Sequence, residues 1–319
     1  MALPRSVTLC ECWMRDGLQS IPNVIPTAQK IEMADRIIAS GVRKLEVTSF
    51  SHPKLLPQFA DCVEVLKGIT RRPGVTTVVL MPNEKGFDRF ELCQKEGYGA
   101  DEIILMISSS EAHNRVNFRM THAEAKRSHA EIMRRARALG VRVIGCAGTV
   151  YGCPISGDVP MRDVIDITRF YIEEGAHTLM LGDTTGAANP LVVRQRIGEL
   201  LALFPRTKFI AHFHDTRGVG VLNSVTALEL GLEFVDSSIG AIGGQPSTGA
   251  KKYQGGHTGN TCTEDLAAVL AEMKVETGID IQKLIETGRR AEDVIGWPLR
   301  SNVIHSGPVN HAPREFAPH

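Results

Sequence analysis

Two histidines one residue apart close an apolar run, Phe209-Ile210-Ala211-His212-Phe213-His214-Asp215-Thr216. Residues two apart on a strand share a face. As a strand, this run points both imidazoles the same way at its C-terminal end. Two co-facing imidazoles form a metal-ligand pair; the same pattern also suits two hydrogen-bonded histidines at the rim of a sheet. Asp16 ends another apolar run, and Asn260 follows Gly259. Both could complete a mixed nitrogen and oxygen shell with positions left open for substrate oxygens. Oxygen-rich shells favour Mg²⁺ or Mn²⁺ over structural Zn²⁺.

Three other segments carry candidate chemistry. Arg15 precedes Asp16 directly, which could be a local ion pair and nothing more. Glu46 lies in Leu45-Glu46-Val47-Thr48, among residues that should be buried. A buried carboxylate needs a partner: Arg15, one strand over, is one candidate, and backbone or hydroxyl groups are the other. Asp183 and Thr184 follow Leu181-Gly182. They could orient a histidine or hold a substrate oxygen; the alternative is an Asp/Thr turn, with Asp183 capping the helix that Pro190 opens. A glycine-rich connection of more than 20 residues starts at Gly240 and includes Lys251, Lys252, Tyr253 and His257. Loops of that length are usually lids, binding loops or disordered. The lysine pair is either phosphate-binding or simply solvated.

These groups need a scaffold, and the chain has one rhythm. Eight short β-branched or apolar runs, Val7–Glu11, Lys44–Thr48, Val75–Met81, Glu102–Met106, Arg142–Ala147, Thr178–Gly182, Phe209–Phe213 and Phe234–Ile239, alternate with helical patterns. The helices expected are Thr27–Ser40 with Thr27 as N-cap, Thr121–Leu139, Met161–Glu174, Leu191–Leu203 after Pro190, Leu222–Leu230, and Thr263–Thr277 capped by Thr263. Eight such units in about 280 residues predict an α/β fold, the (β/α)8 TIM barrel. An open doubly wound sheet is the competitor, because local patterns do not report closure. Residues 1–279 form the barrel in this reading, and 280–319 a short C-terminal extension of extra helices or irregular chain. In a barrel, chemistry collects at the C-terminal ends of the strands, where all the residues above fall.

Composition excludes other classes. The chain has 319 residues, 43% hydrophobic and 23% charged, with 36 Lys+Arg against 36 Asp+Glu. A neutral chain lacks the basic footprint of a nucleic-acid binder and a polybasic membrane anchor. Seven cysteines, an odd count, argue for a reducing compartment rather than a disulfide framework. No signal peptide and no run of 18 apolar residues is seen, so a cytoplasmic location is expected.

Taken together, the motifs resemble the 3-hydroxy-3-methylglutaryl-CoA lyase family. The resemblance covers nearly the whole chain: Arg15-Asp16-Gly17-Leu18-Gln19, Ile25-Pro26-Thr27 with Lys30, Glu46-Val47-Thr48-Ser49-Phe50, Pro53-Lys54, Pro57-Gln58 and Pro82-Asn83. It continues through Ser108-Ser109-Ser110-Glu111, Gly152-Cys153-Pro154, Leu181-Gly182-Asp183-Thr184, His212-Phe213-His214-Asp215-Thr216, Val235-Asp236-Ser237-Ser238, Gly243-Gly244, Gly259-Asn260 and Thr263-Glu264-Asp265-Leu266. Several are weak alone; in this order and spacing they are specific. The resemblance implies a TIM barrel and a metal-dependent retro-Claisen cleavage of an acyl-CoA. It assigns Asp16, His212, His214 and Asn260 to the metal, Arg15 to the enolate oxygen, Glu46 to positioning Arg15, and Gln19 to the substrate pocket, with His212 also a proton shuttle.

One departure stands out. The family carries an acid/base cysteine after the Gly-Gly of the eighth loop, where this chain has Gln245, and the loop from there to Asn260 is longer. Tyr253 or His257 could replace the cysteine. The leading expectation is a lyase that cleaves 3-hydroxy-3-methylglutaryl-CoA or a malyl-type thioester to acetyl-CoA, or another acyl-CoA, and a keto acid. It would use Mg²⁺ or Mn²⁺, take coenzyme A as part of its substrate and work as a homodimer. The alternatives are a Claisen synthase, disfavoured because only about 40 residues follow the last helix, a CoA-independent aldolase, and a non-catalytic homologue.

Overall fold

The computed structural model describes residues 3–244 and 258–312. Eight parallel strands carry the fold: β1 (Thr8–Glu11), β2 (Lys44–Ser49), β3 (Thr76–Leu80), β4 (Glu102–Ser108), β5 (Arg142–Gly148), β6 (Thr178–Asp183), β7 (Phe209–Phe213) and β8 (Phe234–Ser237). Each pairs with the next, and β8 pairs back onto β1 through Thr8↔Phe234 to Glu11↔Ser237. That last ladder decides between closed and open sheet: the strands form a (β/α)8 barrel.

The helices are α1 (Thr27–Ala39), α2 (Cys62–Gly68), α3 (Glu84–Lys95), α4 (Glu111–Phe118), α5 (His122–Ala138), α6 (Met161–Glu173), α7 (Pro190–Leu203), α8 (Gly220–Glu229), α9 (Thr263–Glu272), α10 (Ile281–Ile295) and α11 (Asn302–Ser306). α2, α3 and α4 fall where no helix was expected. α2 and α4 are too short to show a period, and α3 buries only Gly86, Phe87, Phe90 and Cys93 of its 12 residues. Their caps are readable in retrospect: Asn83 accepts from the Gly86 N–H, and Ser110 from that of His113. At α5, Thr121 and Glu124 form a full capping box.

Three expected caps are corrected. Thr27 does not cap α1; its hydroxyl donates to Asp61 at 2.7 Å. Thr263 is the first residue of α9 rather than its cap, and its hydroxyl bonds Glu11 and Ser237. Asp183 does not cap α7, because Asn189 accepts from the N–H groups of Leu191 and Val192. The expected helix to Thr277 stops at Glu272. Lys274 turns left-handed at φ 60°, and the Glu276 backbone pairs with Arg5 and Val7 instead.

The barrel interior is filled by Cys10, Val78, Ile104, Ile144, Cys146, Met180 and Ile210, every second residue of their strands. The larger apolar layer lies between strands and helices. Gly145 on β5 lets Tyr171 of α6 pack against the strand, where any Cβ would overlap the ring. The Tyr171 hydroxyl donates to the Leu105 carbonyl at 2.8 Å and accepts from His129 Nδ1 at 2.9 Å. α10 packs on α1 and α9, and Arg290 of α10 forms a two-pronged ion pair with Glu32 of α1. Among the described residues, no helix is long and apolar enough to cross a membrane. All seven cysteines are free and buried.

Candidate metal centre and active site

The barrel period delivers the site. Ile210 faces the interior, so His212, two residues on, does too, and His214 follows just past the end of β7. The chain after β1 does not run straight into a loop. Trp13–Gly17 form one π-helical turn, wholly buried, that turns Arg15 and Asp16 back over the barrel mouth. Such turns recur at functional sites. β2 contributes Glu46, and a bulge between Glu46 and Thr48 resets its register against β3.

Arg15, Asp16, Glu46, His212, His214 and Asn260 thus meet in one cluster, each at most 7% exposed. Arg15 donates through Nε to Glu46 Oε2 and through Nη1 to Asp16 Oδ1, the latter at 2.6 Å. Glu46 therefore finds the guanidinium partner rather than a hydroxyl. Burial disfavours the charge on Arg15, but Glu46 and Asp16 outweigh it and hold its pKa above the ordinary value. Burial likewise pushes the Asp16 carboxyl up; the charges of Arg15, His214 and His212 and the amide of Asn260 bring it down to about 2. Asp16 is thus an anion at any working pH. For Glu46, burial wins over Arg15 and the pKa lies above the usual carboxylate range.

The two histidines face each other, Nε2 to Nε2, at 3.0 Å. Their other nitrogens settle the tautomers. His212 Nδ1 meets Asp236 Oδ2 at 2.9 Å, and His214 Nδ1 meets the Thr258 carbonyl. A carboxylate and a carbonyl only accept, so both Nδ1 atoms carry the hydrogen. With Nδ1 the donor in each ring, the facing Nε2 atoms need one electrophile between them: a proton on His212, whose pKa Asp236 raises, or a cation held by both. At that separation both Nε2 atoms could hold one cation. One ligand atom from each of Asp16, His212 and His214 falls within 4.8 Å of the others. Asn260 donates its amide to Asp16 at 2.8 Å while its Oδ1 is buried with no partner among the described residues. Three carboxyl groups, Asp16, Glu46 and Asp236, face the single guanidinium of Arg15, so the site is rich in negative charge. The donor set, the orphaned oxygen and this charge all fit one divalent cation. Burial and its neighbour lower His214 to about 4, whereas the Asp236 hydrogen bond more than offsets burial at His212 and raises it.

A cavity of about 570 Å³ opens above this cluster. Arg15, Asp16, His212 and His214 line it, as do Leu55, Met81, Met106 and Phe118, and Lys54 and Arg119. Gln19 and Thr184 line it too. Gln19 donates to the Gly244 carbonyl at 3.3 Å, and Thr184 Oγ1 accepts from the Thr149 N–H at 2.9 Å. Asp183 is not in the lining; its carboxylate accepts from the Ala187 and Ala188 N–H groups, so it is a turn residue, and burial raises its pKa to about 7. A second cavity, of about 520 Å³ beside Arg142 and His177, lies at the opposite end of the barrel, away from all these groups. Gln245, Lys251, Lys252, Tyr253 and His257 lie outside the described residues. Asp236 was given no role from sequence. A carboxylate in Phe234-Val235-Asp236 hints at a buried polar site, but only the pairing of β7 with β8 places it beside His212.

Comparison with known proteins agrees with this geometry. Residues 6–290 match the HMGL-like family. The chain is 38% identical over 301 residues to the hydroxymethylglutaryl-CoA lyase YngG of Bacillus subtilis, covering 94% of this chain and 97% of that one. It is 37% identical over 285 residues to the mitochondrial hydroxymethylglutaryl-CoA lyase of Bos taurus, covering 89% and 84%. A solved HMG-CoA lyase from Acinetobacter baumannii, in complex with coenzyme A and 3-methylmalate, superposes with a TM-score of 0.89 at 33% identity, covering 99% of this chain and all of that one. With a closed barrel, a histidine pair at its mouth and relatives matched over nearly their full length, this chain belongs to the HMGL-like family.

Proposed function

We propose that this protein is a carbon–carbon lyase that cleaves a 3-hydroxyacyl-CoA by a retro-Claisen reaction, with 3-hydroxy-3-methylglutaryl-CoA first among candidates and malyl-type thioesters next. The reading is carried by the two Nε2 atoms, 3.0 Å apart beside the Asp16 carboxylate, under a cavity lined by both apolar and polar side chains. It is supported by the hydroxymethylglutaryl-CoA lyases among the relatives and by coenzyme A in the A. baumannii complex.

Asp16, His212, His214 and the Oδ1 of Asn260 are the proposed ligands of a divalent cation, Mg²⁺ or Mn²⁺. Such a cation lowers the pKa of a coordinated hydroxyl and orients the substrate. In the cleavage the 3-hydroxyl loses its proton, its oxygen becomes a carbonyl, and the C2–C3 bond breaks. The electron pair passes to the thioester as an enolate, which then takes a proton at carbon to give acetyl-CoA beside the keto acid. Arg15, held by Glu46 and Asp16 and with Nη2 buried and unpaired, is placed to stabilise the enolate oxygen. Glu46 fixes that guanidinium. His212 is the proposed proton acceptor, and it can act so only while its Nε2 is off the cation, because Asp236 occupies Nδ1. Gln19 and Thr184 line the acyl end.

Lys54 and Arg119 are exposed on the cavity, and neither takes part in an ion pair among the described residues. We assign them to the phosphates of coenzyme A. We take residues 1–279 as the lyase domain and 280–319 as a C-terminal extension, of which α10 packs on α1 and α9. Seven unpaired thiols fit a reducing cytoplasm. Purified protein with Mn²⁺ should release acetyl-CoA and a keto acid, read by mass spectrometry, from a panel of 3-hydroxyacyl-CoAs. Alanine at Lys54 and Arg119 together should raise KM more than it lowers kcat. Failure to cleave any thioester in the panel sinks the reading.

A further inference from the structure

We propose that Asp236 is the positioning residue of the metal centre, orienting His212 and supplying the negative charge that makes the barrel mouth a divalent-cation site. The inference rests on reading the site as a cation centre. Asp236 sits in the barrel wall on β8, 1% exposed, in direct register with His212 on β7 and with Cys10 on β1. Its Oδ2 accepts from His212 Nδ1 at 2.9 Å, which leaves the Nε2 lone pair free for a cation. Its Oδ1 is buried and has no partner among the described residues.

A carboxylate kept only for structure would have both oxygens satisfied, since a bare buried acceptor is costly. This one serves a single hydrogen bond and otherwise contributes charge. The other histidine differs. His214 is oriented by a neutral backbone carbonyl, that of Thr258, so Asp236 is the charged orienter of the pair. A carboxylate behind a ligating histidine fixes the ring and raises its basicity. Mounting that carboxylate on a strand rather than a loop holds it rigidly. Asp16 and Glu46 both contact the one guanidinium; among the described residues Asp236 contacts no Arg or Lys, and His212 is its polar side-chain partner.

The test is Asp236→Asn, which keeps the shape and can keep an oxygen on Nδ1. Mn²⁺ affinity is measured by titration calorimetry, and thermal unfolding is followed with and without Mn²⁺. The expected result is a roughly 10- to 100-fold weaker Mn²⁺ affinity. Without metal the variant should melt at or above the wild-type temperature, and its rise on adding Mn²⁺ should be smaller. A purely structural carboxylate would instead lower the melting temperature in both conditions, and that result overturns the proposal. If Asp236→Asn does not fold, Asp236→Ser is measured in the same way. In a His212→Asn background the metal-affinity cost of Asp236→Asn should vanish, and its persistence also counts against the proposal. Wild-type protein that fails to bind Mn²⁺ overturns the cation reading itself. Wild-type binding with an unaffected variant overturns the role of Asp236 alone.

Discussion

Replacing Gly243 by alanine should damage the proposed metal centre without replacing any of its proposed ligands. Gly243 has φ +134°, a region essentially reserved for glycine. A Cβ there would overlap Asn260 Nδ2 and come within 3.0 Å of Asp16 Oδ2. The backbone strain alone costs about 1–3 kcal/mol. To admit the methyl, the Asn260 amide must swing away, breaking its 2.8 Å bond to Asp16 and its 3.0 Å bond to the Ile242 carbonyl. Hydrogen bonds to a charged group contribute about 1.5–3 kcal/mol and neutral ones about 0.5–1.5. The whole effect is about 3–7 kcal/mol before relaxation, against a typical total stability of about 5–15. Mn²⁺ affinity should fall by at least the roughly 10- to 100-fold that follows loss of an outer-shell partner, because Asn260 is itself a proposed ligand. The assay is urea unfolding at fixed pH together with Mn²⁺ calorimetry. Gly74→Ala is the control: φ is +78°, yet nothing lies within 4 Å of the added Cβ, so only backbone strain should register, with Mn²⁺ binding unchanged. If Gly243→Ala binds Mn²⁺ like wild type and keeps its urea midpoint, the packing argument around Asn260 is wrong.

Arg15→Lys keeps one charge but not the fork that spans Glu46 and Asp16; kcat should fall by about 10²–10³-fold while Mn²⁺ affinity changes far less, and near-normal turnover would remove Arg15 from the enolate. Chelation by EDTA should lower the melting temperature, and Mn²⁺ at 100 times its Kd should restore about 2.7 kcal/mol; a melting curve indifferent to both denies a cation bound to the native state. Burial holds His129 at about 4, below the ordinary value of about 6.5. The unfolded chain therefore takes up a proton that the folded one refuses. Stability is complete above about pH 6.5 and falls as pH drops toward 4, by up to about 3 kcal/mol. His129→Gln should flatten that slope in pH-dependent denaturation, and an unchanged slope would place the sensitivity elsewhere.

Much of the architecture was legible because it is written in local periods. Eight short β-branched or apolar runs separated by helical stretches require no tertiary information, and their count predicts the barrel. The histidine pair was legible for the same reason: i and i+2 on a strand share a face in any environment. Glu46 was legible as a problem, a carboxylate in an apolar run, though local sequence left its partner open between Arg15 and uncharged groups.

What the tertiary structure decided is everything that depends on which strands are neighbours. Closure needed β8 to pair with β1. Asp236 became an orienting group only because β7 and β8 are in register there. Arg15 and Asp16 reach the mouth through a π-helical turn, a backbone choice that the composition of Trp13-Met14-Arg15-Asp16-Gly17 does not announce. Asp183 went the other way: its local pattern allowed either a substrate contact or a turn, and two backbone N–H groups four and five residues on claimed it. The physical reason is common to all of these. Periodicity and capping act over a few residues, and a chain reports them directly. Charge pairing, tautomer choice and register act across strands that are tens to hundreds of residues apart, and only the folded barrel brings them within hydrogen-bonding distance.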